Sequence, residues 1–161
     1  MYFFSVLTVS DSCFAGNRED LSGPAIISLM EKAGYELSEY QVSEDGIEPV
    51  AQSITSLCIQ KTNLLITTGG TGFSPRDFTP EATNQVCTRS VPGIPEMLRL
   101  KSSEKVKSAW LSRGTAGIRE ETLVINLPGS VKAVTECVEF LLPILPHAMA
   151  VLKGSVDRCG G

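Results

Sequence analysis

The sequence predicts an α/β fold: a single-domain, three-layer α/β/α sandwich around a mostly parallel central sheet. Three observations lead there. Short apolar runs rich in β-branched residues alternate with stretches of helical periodicity, the order expected of βαβ crossovers. Each apolar run stops at small or polar residues, as strands entering turns do. A length of 161 residues suits one core, and 42% hydrophobic with 20% charged residues excludes a disordered or fibrous chain.

Phe3 to Val9 is the first strand, ended by the polar turn Ser10-Asp11-Ser12. No Lys or Arg precedes it, and Asp11 comes too early for a signal peptide or a spanning helix. Ser22-Gly23-Pro24 opens a helix through Ile26, Ile27, Leu29, Met30 and Ala33 that closes at Gly34, with cap, early proline and trailing glycine where a helix favours them. A second strand over Glu36 to Val42 meets the acidic turn Ser43-Glu44-Asp45-Gly46, and an amphipathic helix runs from Glu48 to Gln60. Leu64 to Thr68 is a third strand. Gly69 to Pro80 is too rich in Gly and Pro for a regular element and reads as a long loop.

Helical patterns follow from Pro80 to about Arg89 and from Ile94 to about Ser102, where Pro95 is tolerated in the first turn. Trp110-Leu111-Ser112 and Thr122 to Leu127 read as strands, separated by a loop from Arg113 to Arg119. Pro128-Gly129-Ser130 leads into a helix through Val131, Val134, Val138 and Leu141, which Pro143 and Pro146 break before a short helix to Leu152. Gly160-Gly161 reads as a frayed end, a truncation point or the start of a linker.

In a parallel sheet, ligands sit beyond the carboxyl ends of the strands. Four such ends are polar here: Ser10-Asp11-Ser12, Glu44-Asp45, Gly69 to Asp77, and Asn126 with Pro128-Gly129-Ser130. Gly69, Gly70 and Gly72 permit close backbone approach to an anion and Thr71 adds a hydroxyl. The spacing matches neither a P-loop nor a dinucleotide fingerprint, and a plain structural turn remains the alternative. Asp77 at such a loop makes sense with Mg²⁺ bridging carboxylate and substrate phosphate; otherwise it pairs with Arg76 or caps the turn. Glu44 or Asp45 would be a second carboxylate. Gly129-Ser130 before a helix is either a second anion site or a plain N-cap. Ser112 and Arg113 would place a hydroxyl and a guanidinium beside a phosphate, or form a solvated pair.

Fourteen Lys plus Arg against 18 Asp plus Glu, a net charge of −4 and no basic run argue against a nucleic-acid partner. Five cysteines, odd in number and without a C-x-x-C pair, argue against a zinc site or disulfide framework and fit a reducing cytoplasm. His147 is the only histidine and reads as structural, so a Ser-His or Cys-His hydrolase is hard to assemble. Metal-assisted phosphoryl or nucleotidyl transfer, which needs positioning and charge neutralisation, suits the inventory better.

Leu65 to Thr83, with its Gly69-Gly70-Thr71-Gly72-Phe73-Ser74-Pro75-Arg76-Asp77 core, together with Leu111-Ser112-Arg113, Ala116-Gly117-Ile118-Arg119 and Asn126-Leu127-Pro128-Gly129-Ser130, resembles the molybdopterin adenylyltransferase family, which includes the gephyrin G domain. The likeness spans essentially residues 1–161. It implies transfer of AMP from Mg-ATP to the terminal phosphate of molybdopterin, a homotrimer, and a fused or partner molybdate-insertion domain within a longer chain. It implies no membrane insertion. By position, Asp77 and Asp45 are the catalytic, metal-holding carboxylates. Ser10, Asp11, Gly69, Gly70, Thr71, Gly72, Ser112, Asn126, Pro128, Gly129 and Ser130 bind substrate. The family's second acidic string is altered here to Val42-Ser43-Glu44-Asp45-Gly46, leaving Glu44 and Asp45 as rivals; Asp45 is preferred because Gly46 lets the turn reposition it. Two other readings stand beside the enzyme: a trimeric scaffold domain, and a relative that binds pterin without transferring AMP.

Overall fold

The computed structural model describes residues 1–155; Cys159, Gly160 and Gly161 lie outside the described residues. Six strands form one sheet: β1 (Phe3–Val9), β2 (Glu36–Ser43), β3 (Leu64–Thr68), β4 (Arg89–Ser90), β5 (Ala116–Arg119) and β6 (Thr122–Leu127). Their order is β2-β1-β3-β6-β5-β4, parallel through the first four and antiparallel at β5 and β4. The helices are α1 (Asp11–Phe14), α2 (Ser22–Lys32), α3 (Ile47–Ile59), α4 (Thr79–Val86), α5 (Gly93–Lys105), α6 (Val131–Leu141) and α7 (Leu145–Leu152).

The buried strands carry apolar side chains on both faces, as a doubly covered sheet requires. Phe4, Val6, Leu64, Ile66, Ile125 and Leu127 pack with α2, α5, α6 and α7 on one side. Leu7, Val9, Leu65 and Val124 pack with α3 and α4 on the other. Among the described residues no single helix is long and apolar enough to cross a membrane. The apolar run through α6 and α7 is spent on the core, with Val134, Val138, Leu141, Leu145 and Met149 fully buried.

Three local expectations are corrected. Trp110 and Leu111 belong to a 3₁₀ helix, Lys107–Leu111, rather than a strand, and both are exposed. The expected loop from Arg113 to Arg119 contains β5, hairpinned to β6. The helix begun at Pro80 stops at Val86, and Arg89–Ser90 forms edge strand β4 instead.

The registers align the functional edge. Val9 lies opposite Ser43, Thr8 opposite Thr68, and Thr68 opposite Leu127, so the segments that follow β1, β2, β3 and β6 emerge side by side. They then diverge. β1 and β6 feed α2 and α6 on one face of the sheet, whereas β3 feeds α4 on the other. Neighbouring strands whose exits leave by opposite faces open a crevice between them, the topological switch point of α/β sheets.

Candidate functional site

Two crevices flank the loop after β3, and they share Gly69, Gly70, Asp77, Gly129 and Ser130. The larger, about 550 Å³, extends between α5 and α6 and is lined also by Thr71, Gly72, Ser112 and Asn126. The smaller, about 500 Å³, opens over the end of β1 and is lined by Ser10, Cys13, Asp20 and Asp45. The ridge between them is glycine by necessity. Gly69 has φ +94°, and a Cβ there would drive into the Val9 carbonyl; Gly70 has φ +64°. Gly69 donates to the Leu127 carbonyl at 3.2 Å, and Thr68 Oγ1 donates to that of Pro128 at 2.8 Å, which holds the two glycine turns together.

Asp45 and Asp77 both face this ridge. A Cβ on Gly70 would lie 3.2 Å from Asp45 Oδ1, and one on Gly72 would lie 2.8 Å from Asp77 Oδ2. Asp77 Oδ2 accepts from the amides of Gly72 (2.9 Å) and Ser74 (3.3 Å), so the turn-capping alternative is realised, but Oδ1 has no hydrogen-bond partner among the described residues. Asp45 Oδ2 accepts from the Asp11 amide at 2.9 Å, and Asp11 Oδ1 accepts from the Asp45 amide at 3.0 Å, a reciprocal brace between the ends of β1 and β2. Glu44 is exposed and lines neither crevice, whereas Asp45 is half-buried and lines the smaller one.

Arg76 pairs with Asp11, not Asp77: its Nε reaches Oδ2 at 2.6 Å, and the same guanidinium donates to the Asp45 carbonyl at 2.7 Å. That hydrogen bond holds the Asp11 carboxyl below its usual range. Burial pushes the Asp45 carboxyl up, and the charges of Asp11 and Asp77 add to the rise. A carboxylate crowded by others is a place where a cation is favourable. No group of three or more His, Cys, Asp or Glu among the described residues is arranged to hold a metal alone. Two carboxylates with free oxygens beside a glycine ridge fit Mg²⁺, which is commonly held by one or two carboxylates together with substrate phosphates.

Other expected residues have different standing. Ser10 caps α1, its Oγ accepting from the Cys13 amide. Ser130 caps α6, its Oγ accepting from the Ala133 amide at 3.2 Å, so the N-cap reading holds, and Ser130 and Val131 line the smaller crevice. Asn126 lies inside β6 and is buried. Its amide donates to Thr67 Oγ1 and Thr83 Oγ1, both at 2.9 Å, and its Oδ1 accepts from the Thr115 amide. Its side chain is fully committed, so it shapes the crevice floor. Ser112 Oγ accepts from the Gly114 amide and lines the larger crevice. His147 is exposed on α7 and lines neither crevice.

The sequence reading gave one positioning residue a different role and missed another. The Arg113 guanidinium is not free for a phosphate: it donates to the carbonyls of Gly72 (2.9 Å) and Asp77 and pairs with Glu81, while its amide donates to the Thr71 carbonyl. It clasps the loop that carries Asp77. Asp20 lines the smaller crevice, accepts from the amides of Ser22 and Gly23, and accepts from the hydroxyls of Thr8 and Tyr40 at 2.6 Å each. Asp20, not Ser22, therefore caps α2; Ser22 Oγ donates to the Gly129 carbonyl instead. An aspartate two residues ahead of a helix start was the available signal.

A sequence profile described as "Probable molybdopterin binding domain" matches residues 5–147. The molybdopterin adenylyltransferase of Helicobacter pylori strain J99 is 39% identical over 93% of this chain and 87% of its own length. Gephyrin of Dictyostelium discoideum is 41% identical over 94% of this chain but only 23% of its own length. The crystal structure of the molybdopterin biosynthesis enzyme MoaB from Thermus thermophilus superposes with a TM-score of 0.90 at 40% identity, covering 96% of this chain and 98% of that one. On the profile and the full-length relatives together, the chain belongs to the molybdopterin-binding family of molybdenum cofactor biosynthesis proteins.

Proposed function

We propose that this chain is a molybdopterin adenylyltransferase: it transfers AMP from ATP to the terminal phosphate of molybdopterin. The observation that supports this best is the pair of crevices meeting at one glycine ridge, with Asp45 and Asp77 turned toward it. Two substrates, one in each crevice, would bring their phosphates together there. An oxygen of the pterin phosphate attacks the α-phosphorus of ATP, a new P–O bond forms, and the bond to the leaving pyrophosphate breaks. Positioning and charge stabilisation carry such a transfer.

The backbone amides of Gly70 and Thr71 and the N-terminus of α6 at Gly129-Ser130 orient phosphate oxygens. Asp45 and Asp77 would hold Mg²⁺, whose chemistry is neutralisation of phosphate charge. Arg76 and Arg113 keep the two carboxylates in place from outside. Thr71, Ser112 and Asn126 shape the pterin side of the ridge and Ser10 the β1 side, whereas Asp11, expected to bind substrate, lines neither crevice and braces Asp45 and Arg76 instead. The chain acts as a cytoplasmic homotrimer in this reading; the exposed apolar side chains Leu100, Trp110 and Leu111 on α5 and the 3₁₀ helix support association.

A second reading, an assembly module, has one observation in its favour: a gephyrin relative carries this unit as less than a quarter of its length. Titrating the purified domain with molybdopterin, ATP and Mg²⁺ while following pyrophosphate release separates the two. Stoichiometric release supports the enzyme, and pterin binding without release supports the module.

A further inference from the structure

We propose that Glu136 reads the amino-oxo edge of the pterin at the far end of the larger crevice, an inference that rests on the transferase reading above. Ser130 stands at the ridge, and Glu136 lies six residues further along α6, about 9 Å at the helical rise. The phosphate and the amino-oxo edge are at opposite ends of molybdopterin, so a phosphate bound at the ridge sends that edge along α6. The walls there, Leu98, Val106 and Ala133, are apolar and suit a flat ring.

Glu136 is the only carboxylate lining that crevice besides Asp77 among the described residues. Its side chain is 18% exposed, Oε1 lies 3.2 Å from Lys105 Nζ, and Oε2 has no partner among the described residues. Arg99, which lines the same crevice, is already committed: its Nη1 donates to the carbonyls of Ser112 and Gly114. A pterin presents adjacent donors, the ring N3–H and the 2-amino group, which a carboxylate accepts in parallel as it accepts a guanidinium. A half-buried carboxylate with a spare oxygen gains most from a ligand that supplies that donor pair. A ring with a 2-oxo group in place of the amine would set oxygen against oxygen and be rejected.

The test compares binding of 6-hydroxymethylpterin phosphate with that of its 2-oxo counterpart, 6-hydroxymethyllumazine phosphate, by quenching of pteridine fluorescence. Wild type should prefer the pterin by about tenfold to a hundredfold, the range of a hydrogen bond to a charged group. In Glu136→Gln the preference should collapse to within about threefold of unity, because the amide offers a donor as well as an acceptor. Lys105→Met should keep the preference if the carboxylate itself is the reader. An unchanged preference in Glu136→Gln, or none in wild type, overturns the proposal. Should Glu136→Gln fail to fold, Glu136→Asp gives the same reading, with an undiminished preference counting against the proposal. Wild-type AMP transfer to molybdopterin, measured alongside, separates the two levels. Transfer without preference removes Glu136 and leaves the transferase, whereas neither transfer nor pterin binding removes both.

Discussion

Asp77 fixes a loop and is proposed to hold a metal ion as well. One carboxylate oxygen is consumed by the amides of Gly72 and Ser74, which fixes the loop, and the other has no hydrogen-bond partner among the described residues. Asp77→Asn should lower the rate of AMP transfer by about 10²–10³-fold, the cost of losing one charge-stabilising group, while pterin binding followed by fluorescence persists. Asp45→Asn should behave alike, and Glu44→Gln should match wild type, since Glu44 lines neither crevice. The choice between Glu44 and Asp45 was not legible in the sequence because it depends on the direction in which the turn at Gly46 (φ +120°) presents each side chain. Asp20 gives a pH prediction. Burial works against its charge, but the hydroxyls of Thr8 and Tyr40 and the amides of Gly23 and Ser22 outweigh it and hold the carboxyl below its usual range. With the folded value depressed, the stability it contributes is complete above the unfolded value of about 3.9 and is lost as pH falls through the folded one. Asp20→Asn should therefore lower Tm at pH 7 and give a shallower fall in Tm below about pH 4, checked by circular dichroism melts across that range.

Among the elements, the glycine ridge is the least replaceable. Gly69→Ala adds a side chain both at positive φ and into the Val9 carbonyl, so it should destabilise by about 3 kcal/mol or more, a fall in Tm of roughly 6–12 °C for a domain of this size. Gly129→Ala, whose Cβ would lie 3.4 Å from the Gly69 Cα with no positive φ to strain, should cost far less. The loop clasp makes a separate prediction: Arg113→Lys keeps the charge but loses the fork that spans Gly72, Asp77 and Glu81, so kcat should fall about tenfold with KM for ATP little changed. Strands β1, β2, β3 and β6 were legible because buried parallel strands read as bounded apolar runs. The β5–β6 hairpin was not. Arg119 pairs with Thr122 across Glu120-Glu121, and Glu120 takes φ +52°, a position where Asn or Gly would have announced the turn. Three apolar or small residues at Trp110-Leu111-Ser112 were too few to tell a strand from a 3₁₀ turn.

Across the whole molecule, the site exists because exits from adjacent strands leave by opposite faces of the sheet, a consequence of connection order rather than of any one motif. That is why the location of the candidate site was readable from strand ends alone, and why its division into two crevices was not: the larger depends on how α5 and α6 stand apart. The exposed Trp110 and Leu111 belong to this scale too. Sedimentation velocity should show a trimer at micromolar concentration, and Trp110→Glu should shift it toward monomer. The central claim, that the two crevices hold the two partners of an AMP transfer, is tested most directly with α-labelled ATP, molybdopterin and Mg²⁺. The account predicts label on the pterin together with released pyrophosphate, both slowed by about 10²–10³-fold in Asp77→Asn. Full transfer by Asp77→Asn, or bound pterin that never acquires label in the wild type, would contradict it.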